Sequence, residues 1–445
     1  MPSTTSRPAP NRSFWMAFGP GLLFAGAAVG VSHLVQSTRA GATYGLAMIA
    51  VVILASVVKF PAFRFGPQYA AATGHSLLDG YRRQGRWTLV VVSLLTLATM
   101  FTITAVVTVV TAGVTMSVFR LEPLLAATVG AAYGPALVSA VLIVLSALLL
   151  GGGGFVWLDR FIKLVMPLLI ISTLAAAWFA LGRIDWAWAS LVPSTAIFDA
   201  AGIAFCVALI GWMPSAIDIS IWSSLWTVAR AKEQGIQPEA RRVLIDFDAG
   251  YATTILLALA FVLLGTGLMY GQGLSFENSA ANFANQVVNL YTETLGGWSG
   301  PIIAGAAFLV MLSTTVTVLD AFPRVVAALV RQWQLALPPH SPPAHLPLEG
   351  DRQIYRLAFA VLGSGSLAIL VWGTSSFTAL IDLATSLSFL TAPVLSFFNH
   401  RAIHAKEVPQ QAQPGPIMTL WSGTAIALQG AFALYFLWLK FGPAG

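Results

Sequence analysis

Five polar residues, Ser32, His33, Gln36, Ser37 and Thr38, stand together in the run GAAVGVSHLVQSTRAG (Gly26 to Gly41), inside a stretch of small and apolar side chains. An imidazole offers a nitrogen ligand or a proton carrier, and hydroxyls and amides offer hydrogen bonds. A second group lies in ALIGWMPSAIDIS (Ala208 to Ser220), where Met213 supplies a thioether, Pro214 interrupts backbone bonding and Asp218 places a carboxylate in an apolar segment. Asp382 is a further carboxylate in apolar surroundings, and LSTTVTVLDAFPR (Leu312 to Arg324) carries the hydroxyls of Ser313 and Thr314. Nitrogen and sulfur ligands with a carboxylate suit a transition-metal cation better than a hard divalent ion, which wants several carboxylate oxygens.

These residues are embedded in a chain that the bilayer must shape. Of its 445 residues 57% are hydrophobic and 9% charged, with mean hydropathy +0.79, too apolar for a soluble domain. At about 20 apolar residues per crossing, the sequence divides into eleven expected transmembrane helices, near 14–37, 44–66, 89–117, 133–152, 161–181, 198–229, 250–271, 299–329, 354–373, 377–398 and 416–439. The expectation is an all-α polytopic protein of the cell membrane with the lipid bilayer as its surroundings. Most of the 23 lysines and arginines fall in loops on one side, and the long connection from Gly273 to Trp298 has none. Positive loops stay in the cytoplasm, so the N-terminus is placed inside and the C-terminus outside. This edge accounts for the net charge of +6 without a nucleic-acid partner.

Other signals are mostly negative. Cys206 is alone, so no intrachain disulfide or cysteine metal cluster is expected. No hydrolase or protease signature is present, and broken helices do not suggest a ring-type channel filter; the expectation is a transporter, not an enzyme, with no cofactor beyond the transported or coupling cation. Residues 1–13 and the loop PPHSPPAHLP (338–347) read as flexible cytoplasmic pieces.

A non-helical interruption at membrane depth is tolerated only where protein or a water-filled cavity surrounds it. Breaks in the first and sixth spans fit two inverted five-helix repeats with a binding site between discontinuous helices. The first repeat is set at 14–182, the second at 183–400, with a final loop and eleventh helix at 401–445.

GPGLLFAGAAVGVSHLVQSTRAGATYG (Gly19 to Gly45) resembles the first helix of the Nramp divalent-metal transporters, and Tyr69, Thr73, Gly74, Ser76, Leu77 and Met213-Pro214 extend the likeness. It implies a LeuT-like fold and proton- or sodium-coupled metal transport by alternating access. The Asp-Pro-Gly-Asn motif of that family is not preserved: in an ungapped match its Asp, Pro, Gly and Asn fall on Gly30, Val31, Ser32 and His33, while its Met is kept as Met213 and the following His is Ser215. A rebuilt metal site would use His33, Met213 and Asp382, with Gly30, Ser32 and Asp218 also facing the substrate.

The same stretches support another assignment. AVGVSH and the Ser313-Thr314 pair resemble the sodium-binding break and hydroxyl pair of LeuT-type sodium symporters. That likeness implies a coupling ion held by Ser313, Thr314 and backbone oxygens near Val29, with a small organic solute as substrate. Simpler roles stand beside these: Asp218 paired with Lys59 or Arg64, Asp382 paired with Arg39 at an external gate, and Asp320 paired with Arg324 one helical turn away. The metal cation is the preferred expectation and the sodium-coupled solute the alternative.

Overall fold

Within hydrocarbon every backbone N–H and C=O must be bonded inside the chain, and helices meet that demand locally. The computed structural model describes residues 20–130, 132–184, 186, 195–235, 239–271, 280–335, 348–373 and 376–442, and no strand occurs among them. The expected flexible N-terminus, the start of the first span at 14–19 and the loop at 338–347 lie outside the described residues.

The first span is α1 (Pro20–Ala28), a non-helical step at Val29 and Gly30, a π-helical turn (Ser32–Ser37) and α2 (Thr38–Tyr44). Its two halves are bent by 54°. The second span, α3 (Ala47–Thr73), ends at Gly74 with a left-handed φ of 73°, a position glycine adopts without a Cβ penalty. Short α4 (Leu77–Gln84) starts with a reciprocal Ser76–Asp79 capping box. The third span is α5 (Arg86–Phe119), followed by the short α6 (Glu122–Thr128) and by α7 (Gly134–Leu181).

Two separate helices were expected in the α7 region; the chain is instead helical throughout, including the glycines from Gly151 to Gly154. Its 48 residues would extend about 72 Å as a straight helix, more than twice the hydrocarbon thickness. The apolar stretches within it are Gly134–Gly151 and Met166–Leu181, where the fourth and fifth spans were expected. Glycine disfavours helix in water, but an unbonded backbone costs more where water is scarce.

The sixth span is again broken, into α8 (Ala200–Trp212) and α9 (Ile219–Gln234). Then come α10 (Ala240–Met269), α11 (Ala280–Leu295), α12 (Gly300–Gln334), α13 (Leu348–Ala368), α14 (Phe377–Ile403) and α15 (Pro416–Phe441). Among the described residues eight helices are long and apolar enough to span, the bent pair makes a ninth, and Met166–Leu181 and Ala200–Trp212 are shorter apolar helices. These fall where the eleven expected spans were placed.

The broken first span is wrapped by its neighbours: α1 packs on α10, α12 and α9, and α2 on α10, while α8 packs on α14 and α9 on α3. The contact of α2 with α10 is close because a Cβ at Gly41 would lie 2.0 Å from the Val262 oxygen, the small-residue packing that brings membrane helices together. Helix α15 sits outside on α14 and α3.

Candidate functional site

Both breaks leave helix-end groups that need partners, and the structure answers them differently. In the first break the Ser32 hydroxyl lies 2.7 Å from the Ala28 oxygen and 2.7 Å from His33 Nδ1, while His33 Nε2 lies 2.9 Å from the Thr254 oxygen of α10. A carbonyl oxygen only accepts, so Nε2 carries a hydrogen, while the single Ser32 hydroxyl proton goes to the Ala28 oxygen and Nδ1 lies against the Ser32 oxygen. His33 is fully buried and both ring nitrogens are engaged, which turns the imidazole toward α10 as a strut between the first and seventh spans.

The Thr314 hydroxyl of α12 reaches the same break from the other side. Its Oγ1 is 3.2 Å from the Gly26 oxygen, 3.1 Å from the Val29 oxygen and 3.1 Å from the Val310 oxygen, and Ser313 Oγ is 2.8 Å from that same Val310 oxygen. One hydroxyl proton can serve only one of three carbonyls at a time. Ser313, Thr314 and the interrupted α1 therefore gather five neutral oxygen atoms in a buried spot, a ligand type that suits hard cations rather than soft ones. Gly30 makes this possible, since a Cβ there would lie 2.7 Å from Thr314 Oγ1.

A small cavity of about 30 Å³ opens next to this cluster, between both breaks, α5 and α12. Ala28, Val31, Val107, Trp212, Ala216 and Trp222 give it a mainly apolar wall; Ser32, Ser215 and Thr314 add hydroxyls, and no carboxylate lines it. A second cavity, beyond Gly30 and Val310, is walled by Leu34, Leu169, Ser172 and Phe261. The oxygen cluster thus sits between two cavities.

In the second break α8 ends at Trp212, whose Nε1 donates to Ser388 of α14 at 2.8 Å. Asp218 is buried; its Oδ1 accepts from Thr99 at 3.3 Å, and Oδ2 has no hydrogen-bond partner. Lys59, from the middle of α3, places its ammonium on the break's carbonyls. Sequence reasoning weighed Lys59 only as a partner of Asp218; a lysine inside MIAVVILASVVKFPAF is costly in a membrane and was the signal available.

The remaining sequence candidates are distributed around this centre. Met213 is buried in an apolar cluster with Ala40, Met48, Leu209 and Val262. Asp382 of α14 pairs with Arg39 at 2.9 Å; Arg39 also donates to Gln36 at 3.0 Å and stands over the Phe205 ring of α8. The structure therefore brings Val29, Gly30, Ser313 and Thr314 together, keeps Ser32 at the cavity wall, and leaves His33, Met213 and Asp382 each with separate partners. No group of three or more His, Cys, Asp or Glu suited to a metal ion occurs among the described residues.

Further polar contacts tie the spans to one another. The Gly21 amide donates to Asp246 at 2.9 Å, Arg64 pairs with Asp248 at 2.9 Å, and Asp320 bonds both Arg324, at 2.6 Å, and Tyr355, at 3.0 Å. Arg64 thus pairs with Asp248 rather than with Asp218, while the expected turn-spaced Asp320–Arg324 pair is present. Asn399 ties α14 to Tyr81, to the Ala62 oxygen and to Ser220, a junction the sequence did not announce.

No family profile matches the sequence. The architecture is shared with solved structures of low identity. A manganese transporter of Eremococcus coleocola is 14% identical with a TM-score of 0.68, covering 100% of this chain and 92% of that one. MhsT in complex with L-phenylalanine is 12% identical at 0.68, covering 98% and 100%. The nucleobase-cation-symport-1 family transporter Mhp1 is 13% identical at 0.56, covering 96% and 91%. The fold, a polytopic LeuT-like bundle with broken first and sixth spans, follows from this likeness and from the helices themselves. A sequence relative spans most of both chains, the uncharacterized protein PM0681 of Pasteurella multocida (strain Pm70), 33% identical over 390 residues, 87% of this chain and 84% of that protein. This multi-pass membrane protein belongs to the same family as PM0681 of Pasteurella multocida.

Proposed function

We propose that the protein is a cation-coupled secondary transporter of a small, largely apolar organic solute, working by alternating access. The observation that carries this reading is the cluster of five neutral oxygens at Thr314, Ser313, Gly26, Val29 and Val310, beside a cavity that both breaks help to line. Carbonyls and hydroxyls with no carboxylate favour a monovalent cation such as sodium, since a divalent ion is usually held with formal negative charge. The cation would draw α1 and α12 together and so complete the adjoining cavity.

The metal reading preferred from sequence needs His33, Met213 and Asp382 on one ion. Both nitrogens of His33 are engaged and Asp382 is paired with Arg39, so the geometry favours the solute reading instead. Solved structures sharing the fold are described with manganese, with L-phenylalanine and as nucleobase-cation symport proteins, and the fold itself carries no choice between them. In this proposal Arg39 and Asp382 form the outer gate, and the latches at Asp246 and Asp320 the inner one.

The test is a thermal-shift titration of purified protein with sodium chloride against choline chloride, then with manganese, because a ligand bound only by the folded state stabilises it. A saturable sodium response that Thr314→Val removes supports the proposal. Silence toward sodium with a saturable manganese response lost in His33→Ala would replace it with the metal reading.

A further inference from the structure

Backbone oxygens also converge at the carbonyl end of α8, and there the space is already filled. Lys59 Nζ lies 2.8 Å from the Ile210 oxygen, 2.9 Å from that of Gly211, 3.1 Å from Met213 and 2.9 Å from Ser215. The ring of Phe63 stands 5.9 Å away. Lys59 is 1% exposed. An ammonium has three hydrogens, yet four oxygens surround this one at hydrogen-bonding distance, so the shell is that of an enclosed cation rather than of a single helix cap.

We infer that the break between α8 and α9 is a monovalent-cation site of ammonium size whose occupant is tethered to α3. Physical reasons converge on a cation there. Helix ends collect negative partial charge at their carbonyls, the Ile210 oxygen accepts from the Met213 amide but the other oxygens at the break would cost desolvation energy without a donor, and an aromatic face favours positive charge. The distances are those of N–H···O hydrogen bonds to an ammonium. The fixed charge holds the second break open without an exchangeable ion, while the oxygen cluster at Thr314 stays free to exchange one. The inference rests on the geometry of the break and stands whether or not sodium drives transport.

Chemical rescue tests it. Lys59→Ala removes Cγ, Cδ, Cε and Nζ, a volume the size of n-propylammonium. The purified Lys59→Ala protein is expected to melt below the wild type and to recover saturably with millimolar n-propylammonium chloride, by about 2 °C or more. The neutral isostere n-butane-sized alcohol 1-propanol should give no such recovery, and neither should the wild type or Lys59→Met with n-propylammonium. If Lys59→Ala does not yield folded protein, expression with and without n-propylammonium reads the same question through the monodisperse fraction. Recovery with 1-propanol equal to that with n-propylammonium, no recovery with either, or a Lys59→Ala protein as stable as the wild type would overturn the inference.

Discussion

Single residues carry the argument between the competing chemistries. His33 was the most conspicuous candidate, and its two ring nitrogens are spent on Ser32 and on the Thr254 oxygen. His33→Ala should therefore act as a structural substitution: it leaves the Thr254 carbonyl without this buried donor, at a cost of about 1–3 kcal/mol, and thermal unfolding will show it without any change in the sodium response. Gly30 carries the opposite prediction. A Cβ there would sit 2.7 Å from Thr314 Oγ1, so Gly30→Ala should push the hydroxyl off the carbonyls and weaken sodium binding by about tenfold or more, about 1.4 kcal/mol, measured by titration. An unaltered sodium affinity in Gly30→Ala would remove Thr314 from the site. The hydroxyl pair was legible in LSTTVTVLDAFPR, but its carbonyl partners were only partly so, because a backbone oxygen has no side-chain signature.

Elements determine how these residues are held and released. α1 and α2 are the halves of one span; α1 is tied at its far end by the Gly21 amide on Asp246, and α2 near its start by Arg39 on Asp382. Arg39 joins three elements at once, through Gln36, Asp382 of α14 and the Phe205 ring of α8. The Asp382 side chain is 42% exposed, and exposed pairs contribute about 0–1 kcal/mol, so Arg39→Ala should leave the melting temperature nearly unchanged. It should instead raise the rate at which an external thiol reagent modifies a cysteine introduced at Ser32, since the pair closes the route from outside. Equal labelling rates would show that the pair is not a gate. Breaks in the first and sixth spans were legible from Ser32, His33 and Pro214 in apolar runs. The continuity of α7 through four glycines was not, because propensities measured in water understate the penalty for an open backbone in lipid.

For the whole molecule the positive-inside pattern makes a prediction the helices do not. With eleven spans, reporter fusions should place the N-terminus in the cytoplasm and the C-terminus outside, with the connection from Gly273 to Trp298 outside. Fusions showing both termini on one side would require an even number of crossings and would break the orientation. Hydropathy established the membrane class and pointed to the two interruptions, because each depends on local composition read against one physical length, the thickness of the hydrocarbon. It also singled out Asp218, Asp382, Arg39 and Thr314 as costly or functional, since polar groups in apolar runs are visible wherever they stand. The partners of those groups came from packing: Lys59 meets carbonyls more than 150 positions away, Thr314 meets the first break across 285 positions, and His33 turns to α10 rather than to an ion. Such pairings depend on how helices cross in three dimensions, and a linear pattern of side chains does not encode which carbonyl a neighbouring span will present.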